Sequence, residues 1–273
     1  MFSFNHLPVF ARLDQYGGLW AIEPNAGHRL AELFAATDWK AHAPKDDAPP
    51  GPKRYEANGR SVAVIPISGT MMKQRPSGGG TSTIDVRRQL RQAAADSSIS
   101  SILLSIDSPG GTVEGTQALA NDVTAARHKK PVFGQVEDTG ASAAYWAASQ
   151  TDKLFAAVPT ATIGSVGTML AAKVSPADAD GKSKAEVRVF RSGPLKAAGA
   201  DGISDAQAAD LQRWVDETQK HFTRAVKLGR RLDAAALEKV TQGGVFLAEE
   251  AKALGLIDGV QSIETTLAQM AKL

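Results

Sequence analysis

Residues 102–112 read I-L-L-S-I-D-S-P-G-G-T, a short, mainly apolar run that ends in an aspartate and a glycine pair. A run of this length and composition is typical of a strand buried on both faces of a sheet. Two other runs share the pattern, Val62–Ile67 upstream and Val132–Val136 downstream. The sequence therefore predicts three buried strands.

Helical patterns separate these strands. One runs from Ile84 to Ala94, with Thr83 as its predicted N-cap, and the other runs from Val113 to Val123. Strand and helix alternate in units of about 30 residues, which predicts βαβ crossovers and a largely parallel sheet. Ligand sites in such α/β sheets lie at the carboxyl ends of the strands.

Small residues follow two of the predicted strands. Asp107–Thr112 comes after one, Glu137–Ser142 comes after the other, and a helical pattern follows each. A glycine pair behind Pro109 is equally compatible with a tight turn and with backbone N–H groups that face an anion at a helix start. Ser142 lies in the stretch G-A-S-A-A-Y-W at a predicted strand-to-helix junction, where it is either a helix cap or a nucleophile.

Composition narrows the class of protein. The chain has 273 residues, 43% of them hydrophobic, and a formal net charge of only +2. Without a dense basic stripe, a nucleic-acid partner is not expected. The lack of cysteine excludes disulfides and a thiolate nucleophile. No apolar run reaches the roughly 18–20 residues that span a bilayer, and the N-terminus lacks a secretion signal, so we expect a cytoplasmic protein without a membrane anchor.

The domain organisation follows from a change in composition. Residues 43–54 are rich in proline and charge, which predicts a linker that we extend to residue 60. Residues 1–42 are too few for a core of their own and form an N-terminal arm in this interpretation. Residues 61–273 form the main domain, and a long helix from about Ser204 to Leu228 and a helix capped by Asp233 are predicted near its end.

Five motifs succeed one another along the chain: Asp107–Gly111 (D-S-P-G-G), Ala141–Tyr145 (A-S-A-A-Y), Ile163–Gly167 (I-G-S-V-G), Ser192–Lys196 (S-G-P-L-K) and Gly244–Asp258 (G-V-F-L-A-E-E-A-K-A-L-G-L-I-D). In this order they resemble the motifs of the signal peptide peptidase A family, peptidase family S49. The resemblance implies a ClpP/crotonase-like fold, an α/β architecture of repeated βαβ units with a helical C-terminal part. Ala143 and Ala144 stand where cellular members tend to have two glycines. This difference affects the width of the cleft that the resemblance implies beside the nucleophile.

The resemblance also implies a Ser-Lys dyad that works through an acyl-enzyme. Ser142 matches the nucleophile, Lys196 the general base and Ser165 the hydroxyl that holds the lysine. A lysine can act as a base at neutral pH only where its surroundings lower its pKa, and residues 194–199 carry no carboxylate. The expected oxyanion donors are the backbone N–H groups of Gly110, Gly111 and Ala143.

Other lysines and the histidines fit the role of catalytic base less well than Lys196. Lysines that compete with Lys196 for the role of base are Lys173, Lys182 and Lys184. The predicted main domain contains two histidines: His128 lies at a predicted helix end and His221 lies in an amphipathic pattern. The chain has no H-E-x-x-H motif, and Gly78–Thr81 lacks the lysine of a phosphate loop, so neither a metal nor a cofactor is expected.

The N-terminal arm indicates which branch of the S49 family the chain resembles. Leu19–Leu33 resembles the arm of phage members, which predicts a phage or prophage protease that cleaves scaffold and portal-associated proteins during capsid maturation. The resemblance also implies a ring-shaped homo-oligomer. The alternatives are a soluble signal-peptide or general peptidase, a catalytically silent capsid-assembly protein and a crotonase-type acyl-CoA enzyme. Self-cleavage within Ala43–Arg54 is a further hypothesis, because that segment has an exposed composition.

Overall fold

The computed structural model describes residues 19–23, 26, 52–76, 79–174, 186–191 and 205–273. The strands within these residues are β1 (Leu19–Ile22), β2 (Lys53–Ala57), β3 (Arg60–Ser68), β4 (Met71–Met72), β5 (Thr81–Ser82), β6 (Ser101–Ser108), β7 (Gly110–Thr112), β8 (Val132–Ala141), β9 (Lys153–Ala156), β10 (Thr162–Gly164), β11 (Met169–Val174), β12 (Glu186–Arg191), β13 (Val245–Leu247) and β14 (Gly259–Val260). The helices are α1 (Thr83–Ala95), α2 (Thr116–Arg127), α3 (Ala143–Ala148), α4 (Asp205–Arg230), α5 (Ala234–Val240), α6 (Ala248–Ala253) and α7 (Ile263–Met270).

The larger sheet, here called the main sheet, has the strand order β13-β10-β8-β6-β3-β2. Strands β3, β6, β8 and β10 are parallel. Helix α1 precedes β6 and helix α2 precedes β8 along the chain. The predicted α/β class, its three buried strands and its βαβ alternation are confirmed.

Strand β8 is longer than the apolar run that predicted it, because it has two successive neighbours on one side. Its first half, Phe133–Val136, pairs with β9, and its last residues, Thr139–Ala141, pair with β10. The polar stretch after Val136 is therefore still strand and not a turn. This extension carries the backbone to the carboxyl edge of the sheet, where Ser142 follows.

The second sheet has the order β12-β11-β1-β7-β4-β5. Strand β7 contains both glycines of the D-S-P-G-G motif, so this pair belongs to a strand and not to the tight turn or the helix start that the sequence left open; α2 begins only at Thr116. The pair is extended because β1 and β4 supply neighbours on its two sides. Pairing between segments distant in the chain is not visible in local glycine content.

Other predicted boundaries are corrected or confirmed by specific hydrogen bonds. The N-cap of α1 is Ser82, whose Oγ accepts from the Asp85 N–H at 3.3 Å, and Thr83 is the first helical residue. Lys53–Ala57, within the predicted linker, is an edge strand antiparallel to β3. The Asp233 cap is confirmed, since its carboxylate accepts from the Ala236 N–H at 2.8 Å. Helix α4 extends to Arg230, and Ser204 lies outside the described residues.

Candidate active site

Ser142 occupies the turn between β8 and α3. Its backbone has φ 54° and ψ −118°, a region that residues other than glycine rarely adopt. The Ser142 N–H donates to the Gly164 carbonyl and the Ser142 carbonyl accepts from the Trp146 N–H, both at 2.8 Å. The serine is fully buried. Backbone strain of this kind, on the order of 1–3 kcal/mol, persists where surrounding bonds fix it and is typical of functional serine turns.

Ser165 lies at the corresponding end of the neighbouring strand. Gly164 and Ala141 are opposite each other in the parallel pair of β10 and β8, so Ser165 and Ser142 both follow the ends of adjacent strands. Ser165 is also buried, has φ 49° and donates its N–H to the Gly244 carbonyl at 2.6 Å. The structure therefore brings two of the predicted site residues to one edge of the main sheet.

Gly110 lies directly against this turn. A Cβ at Gly110 would come within 3.0 Å of three atoms, among them Ala143 N at 2.8 Å and Ser142 Cβ at 2.9 Å. Its φ of +96° also favours glycine. Its N–H donates to Ser108 Oγ at 3.2 Å, and this hydroxyl donates to the Gly69 carbonyl at 2.6 Å. The N–H predicted as an oxyanion donor is thus already paired with Ser108.

Gly111 packs between two strands. It is opposite Ala21 in β1, and an added Cβ would overlap the backbone carbonyl of Met71 in β4. Ala143, the third predicted donor, is the first residue of α3 and is fully buried beside Gly110. The predicted site residues Ser142, Ser165, Gly110, Gly111 and Ala143 therefore gather around one turn. Lys196 lies outside the described residues.

The two histidines considered as bases do not share this setting. His128 follows α2 and His221 lies on α4, and both are exposed. Among the described residues, no group of acidic or histidine side chains could hold a metal ion. Of the competing lysines, Lys173 is a residue of β11, and Lys182 and Lys184 lie outside the described residues.

Tyr145 anchors the short helix that follows Ser142. Its hydroxyl donates to the Leu256 carbonyl at 2.8 Å, and its side chain is fully buried. Burial raises the pKa of Tyr145 far above its ordinary value, so the phenol is neutral throughout the physiological range. Tyr145 therefore acts as a neutral hydrogen-bond donor that holds α3.

A cavity of about 500 Å³ opens beside the turn, at the carboxyl ends of the parallel strands. Its lining includes Gly69, Asp107, Pro109, Thr139, Thr162 and Val245. Glu23, directly after β1, also lines it. Ser108, Gly164 and Gly244 lie within the quoted motifs, but the sequence assigns none of them a role in the site. It also assigns no role there to β1, whose only local signal is the apolar stretch Leu19–Ile22.

The candidate site thus consists of a buried serine at a strained strand-to-helix turn, beside a glycine with no room for a side chain, in an α/β fold. Residues 124–273 match the model of peptidase family S49, and the chain belongs to this family. The family predicted from the five motifs is confirmed.

Individual relatives fall in two groups. The chain is 30% identical to the head-tail preconnector protein GP5 of Enterobacteria phage P21, over 77% of this chain and 42% of that protein. It is 31% identical to the capsid assembly protease C of Escherichia phage lambda, over 78% of this chain and 49% of the relative. It is 27% identical to Protease 4 of Salmonella typhi, over 79% of this chain and 35% of the relative. The chain spans less than half the length of these relatives. In the described part of the chain, no helix has the length and apolar character needed to cross a membrane.

Proposed function

We propose that this chain is a serine endopeptidase in which Ser142 is the nucleophile and polypeptides are cleaved through an acyl-enzyme. The observation that carries the proposal is the backbone of Ser142, held at positive φ between the Gly164 carbonyl and helix α3. This turn fixes the serine at the carboxyl edge of a parallel sheet, the usual location of active sites in open α/β folds. Membership of a peptidase family supports the same reaction.

In this mechanism neutral Lys196 accepts the proton of Ser142 Oγ while the oxygen attacks the substrate carbonyl. The proton then passes to the leaving amine, and a water molecule activated by the same lysine hydrolyses the acyl-enzyme. Ser165 orients the lysine through its hydroxyl. Support for this role is the position of Ser165 at the end of β10, next to the strand that carries Ser142.

We assign the oxyanion donors to the N–H groups of Gly111 and Ala143. Gly110 contributes in another way, because its N–H donates to Ser108 and its missing side chain lets β7 approach the Ser142 turn closely. A donor aimed at a developing oxyanion is worth about 10²–10³ in rate. The bond from Ser108 to Gly110 keeps the glycine strand in place beside the nucleophile.

The biological substrates in this proposal are polypeptides of an assembling phage capsid, such as scaffold and portal-associated proteins, and the site of action is the host cytoplasm or the procapsid. The support is the likeness to a capsid assembly protease and to a head-tail preconnector protein. Protease 4 is a relative over a similar share of the chain, so a general or signal-peptide peptidase is the competing assignment.

The test compares wild type with Ser142→Ala and Lys196→Ala on β-casein, an unstructured substrate, by mass spectrometry of the products. Lys184→Ala is the matched control, a lysine outside the proposed dyad. We expect wild type and Lys184→Ala to cleave casein and the two dyad variants to be inactive with native circular dichroism. Activity in Ser142→Ala would exclude this serine as the nucleophile; activity in Lys196→Ala alone would place the base elsewhere. An inert wild type, even with capsid proteins supplied, would favour the silent assembly protein.

We also propose a ring-shaped homo-oligomer. Its support is the exposure of Trp214, which is half exposed on α4 while Val215, the next residue, is buried. A large aromatic side chain exposed on a long helix suits a subunit contact. Light scattering of wild type and Trp214→Glu tests this, and a monomeric wild type at micromolar concentration would contradict it.

A further inference from the structure

Strand β1 lies between two strands of the site. It pairs antiparallel with β7, the strand of Gly110 and Gly111, and on its other side antiparallel with β11. Both partners lie far from β1 in the chain, so no hairpin turn brings it there. An added antiparallel strand of this kind is a common way for a protein to bind an extended peptide.

The register of β1 against β7 is fixed by hydrogen bonds at both ends. The Val113 N–H donates to the Leu19 carbonyl at 3.0 Å, and the Glu23 N–H donates to the Pro109 carbonyl at 2.7 Å. Hydrogen-bonded pairs alternate along an antiparallel ladder, which makes Ala21 and Gly111 the hydrogen-bonded pair between those two bonds. The Gly111 N–H therefore faces the Ala21 carbonyl.

The Ala21 carbonyl also lies beside the nucleophile. Its oxygen is one of the three atoms within 3.0 Å of the position that a Cβ on Gly110 would take, together with Ala143 N and Ser142 Cβ. One carbonyl of β1 thus lies beside the proposed nucleophile and the two backbone donors that we assign to the oxyanion. A scissile carbonyl has to lie in this neighbourhood, between the nucleophile and the backbone donors.

The side chains of β1 fit a bound peptide with a small residue at the bond. Ala21 is fully buried and belongs to the main core cluster, so its surroundings accommodate a methyl group. Trp20 and Ile22 point to the opposite face and pack in a separate cluster with Met72. Glu23 then enters the open cavity, which provides a path for the chain beyond the bond.

We propose that Leu19–Glu23 is a substrate segment held in cis and that Ser142 hydrolyses the bond between Ala21 and Ile22, an inference that rests on the proposed function. Ser142 Oγ bonds to the Ala21 carbonyl carbon, the bond from that carbon to the Ile22 nitrogen breaks, and the serine proton goes to the new Ile22 amine. Water then releases residues 1–21 with a free Ala21 carboxylate. The product chain begins at Ile22, and the site prefers alanine or a residue of similar size before the bond.

The experiment follows the intact mass of purified full-length chain over time, at two protein concentrations tenfold apart, with β-casein cleavage measured in the same samples. Wild type is compared with Ser142→Ala, Ala21→Gly and Ala21→Asp. The two Ala21 variants form a matched pair, since glycine fits the buried position and a carboxylate does not. N-terminal sequencing identifies the bond.

We expect wild type to lose residues 1–21 at a rate independent of concentration, and Ser142→Ala to stay intact. Ala21→Gly is cut at the same bond about tenfold more slowly, as expected for a lost methyl contact. Ala21→Asp stays intact, and its native circular dichroism shows that the enzyme is folded.

Three results would overturn the inference. If wild type cleaves casein but keeps its N-terminus, β1 is a permanent strand and the proposed function stands. If cleavage occurs within Ala43–Arg54 instead, or its rate rises in proportion to concentration, the assignment of the bond or of the cis geometry is wrong. If wild type cleaves neither casein nor itself, the proposed function fails and the inference fails with it.

Discussion

The indole ring of Trp146 stacks on the phenyl ring of Phe222, with centroids 4.5 Å apart and 5° between the ring planes. Trp146 lies on α3, four residues after Ser142, and Phe222 lies within α4. Both side chains are almost completely buried. The long helix therefore supports the short helix that follows the Ser142 turn.

Replacement of Phe222 by alanine should destabilise the protein by about 3–5 kcal/mol, because it removes a buried ring and leaves a cavity beneath Trp146. Urea unfolding followed by tryptophan fluorescence measures the change. Leu228→Ala on the same helix is the control, since Leu228 is 65% exposed and its loss should change stability by no more than about 0.5 kcal/mol. Equal effects of the two substitutions would mean that the Trp146–Phe222 contact adds no more to the free energy of unfolding than an exposed leucine does.

Gly110→Ala should abolish casein cleavage by the folded enzyme, with kcat/KM reduced by about 10² or more. The new methyl group would displace Ser142 and the Ala143 N–H, and the backbone has a φ that alanine disfavours. Gly59→Ala is a matched control, because Gly59 also has positive φ (+71°) but open space around its Cβ position. Gly59→Ala should lose about 1 kcal/mol of stability and keep its activity. An active Gly110→Ala enzyme would show that the turn tolerates a shift.

Ser108→Ala should slow catalysis without preventing folding. The Ser108 hydroxyl joins the Gly69 carbonyl to the Gly110 N–H, so its removal loosens the strand that lies against Ser142. A net hydrogen bond of this type contributes about 0.5–1.5 kcal/mol. We expect kcat to fall while KM changes little, and Ser108→Thr to restore part of the rate. A raised KM with unchanged kcat would assign Ser108 to substrate binding instead.

Asp258 should make stability depend on acid pH. Its partial burial alone raises its pKa, but the Leu154 N–H at 2.8 Å and the Arg230 guanidinium at 3.0 Å outweigh burial, and the pKa lies below its ordinary value of 3.8. A carboxyl whose pKa is lower in the folded than in the unfolded state contributes stability that is complete above the unfolded pKa. This contribution is lost as pH falls through the folded pKa.

The comparison is wild type against Asp258→Asn by thermal and urea unfolding between pH 7 and pH 2. At pH 7 the variant should be less stable by about 1–3 kcal/mol, since Arg230 and the Leu154 N–H lose a charged partner. The difference should be constant down to about pH 4 and shrink below it. A difference that persists unchanged at pH 2 would mean that the carboxylate charge is not responsible.

The sequence predicted those strands and helices whose formation depends on local composition and hydrophobic periodicity. Val62–Ile67 and Ile102–Ile106 are strands in which most side chains are apolar and buried. For Gly110 and Gly111 the sequence left a tight turn and a helix start open, since their strand conformation depends on β1 and β4, which are distant in the chain. Thr83 was misassigned as a cap because Ser82, one residue earlier, offers the same chemistry.

In the candidate site, too, local features were predictable and contacts between segments were not. Small residues at a strand end and the motif series predict Ser142 as the nucleophile, and the structure has this residue at a strained strand-to-helix turn. The sequence could not show that the Gly110 N–H is paired with Ser108, because that bond depends on how the D-S-P-G-G strand bends back on itself. Nor could it show that Ala21 faces Gly111, because a strand register between distant segments leaves no periodic signal.

The position of β1 between β7 and β11 has a kinetic consequence. In the cis-substrate proposal Leu19–Glu23 competes with free peptides as an intramolecular ligand, at an effective concentration on the order of millimolar. A dilute peptide that binds with ordinary affinity gains access only when β1 leaves. Activity on added substrate should therefore start with a lag that ends as β1 dissociates. Each molecule would begin to cleave added substrate only after its own N-terminal strand has left the site.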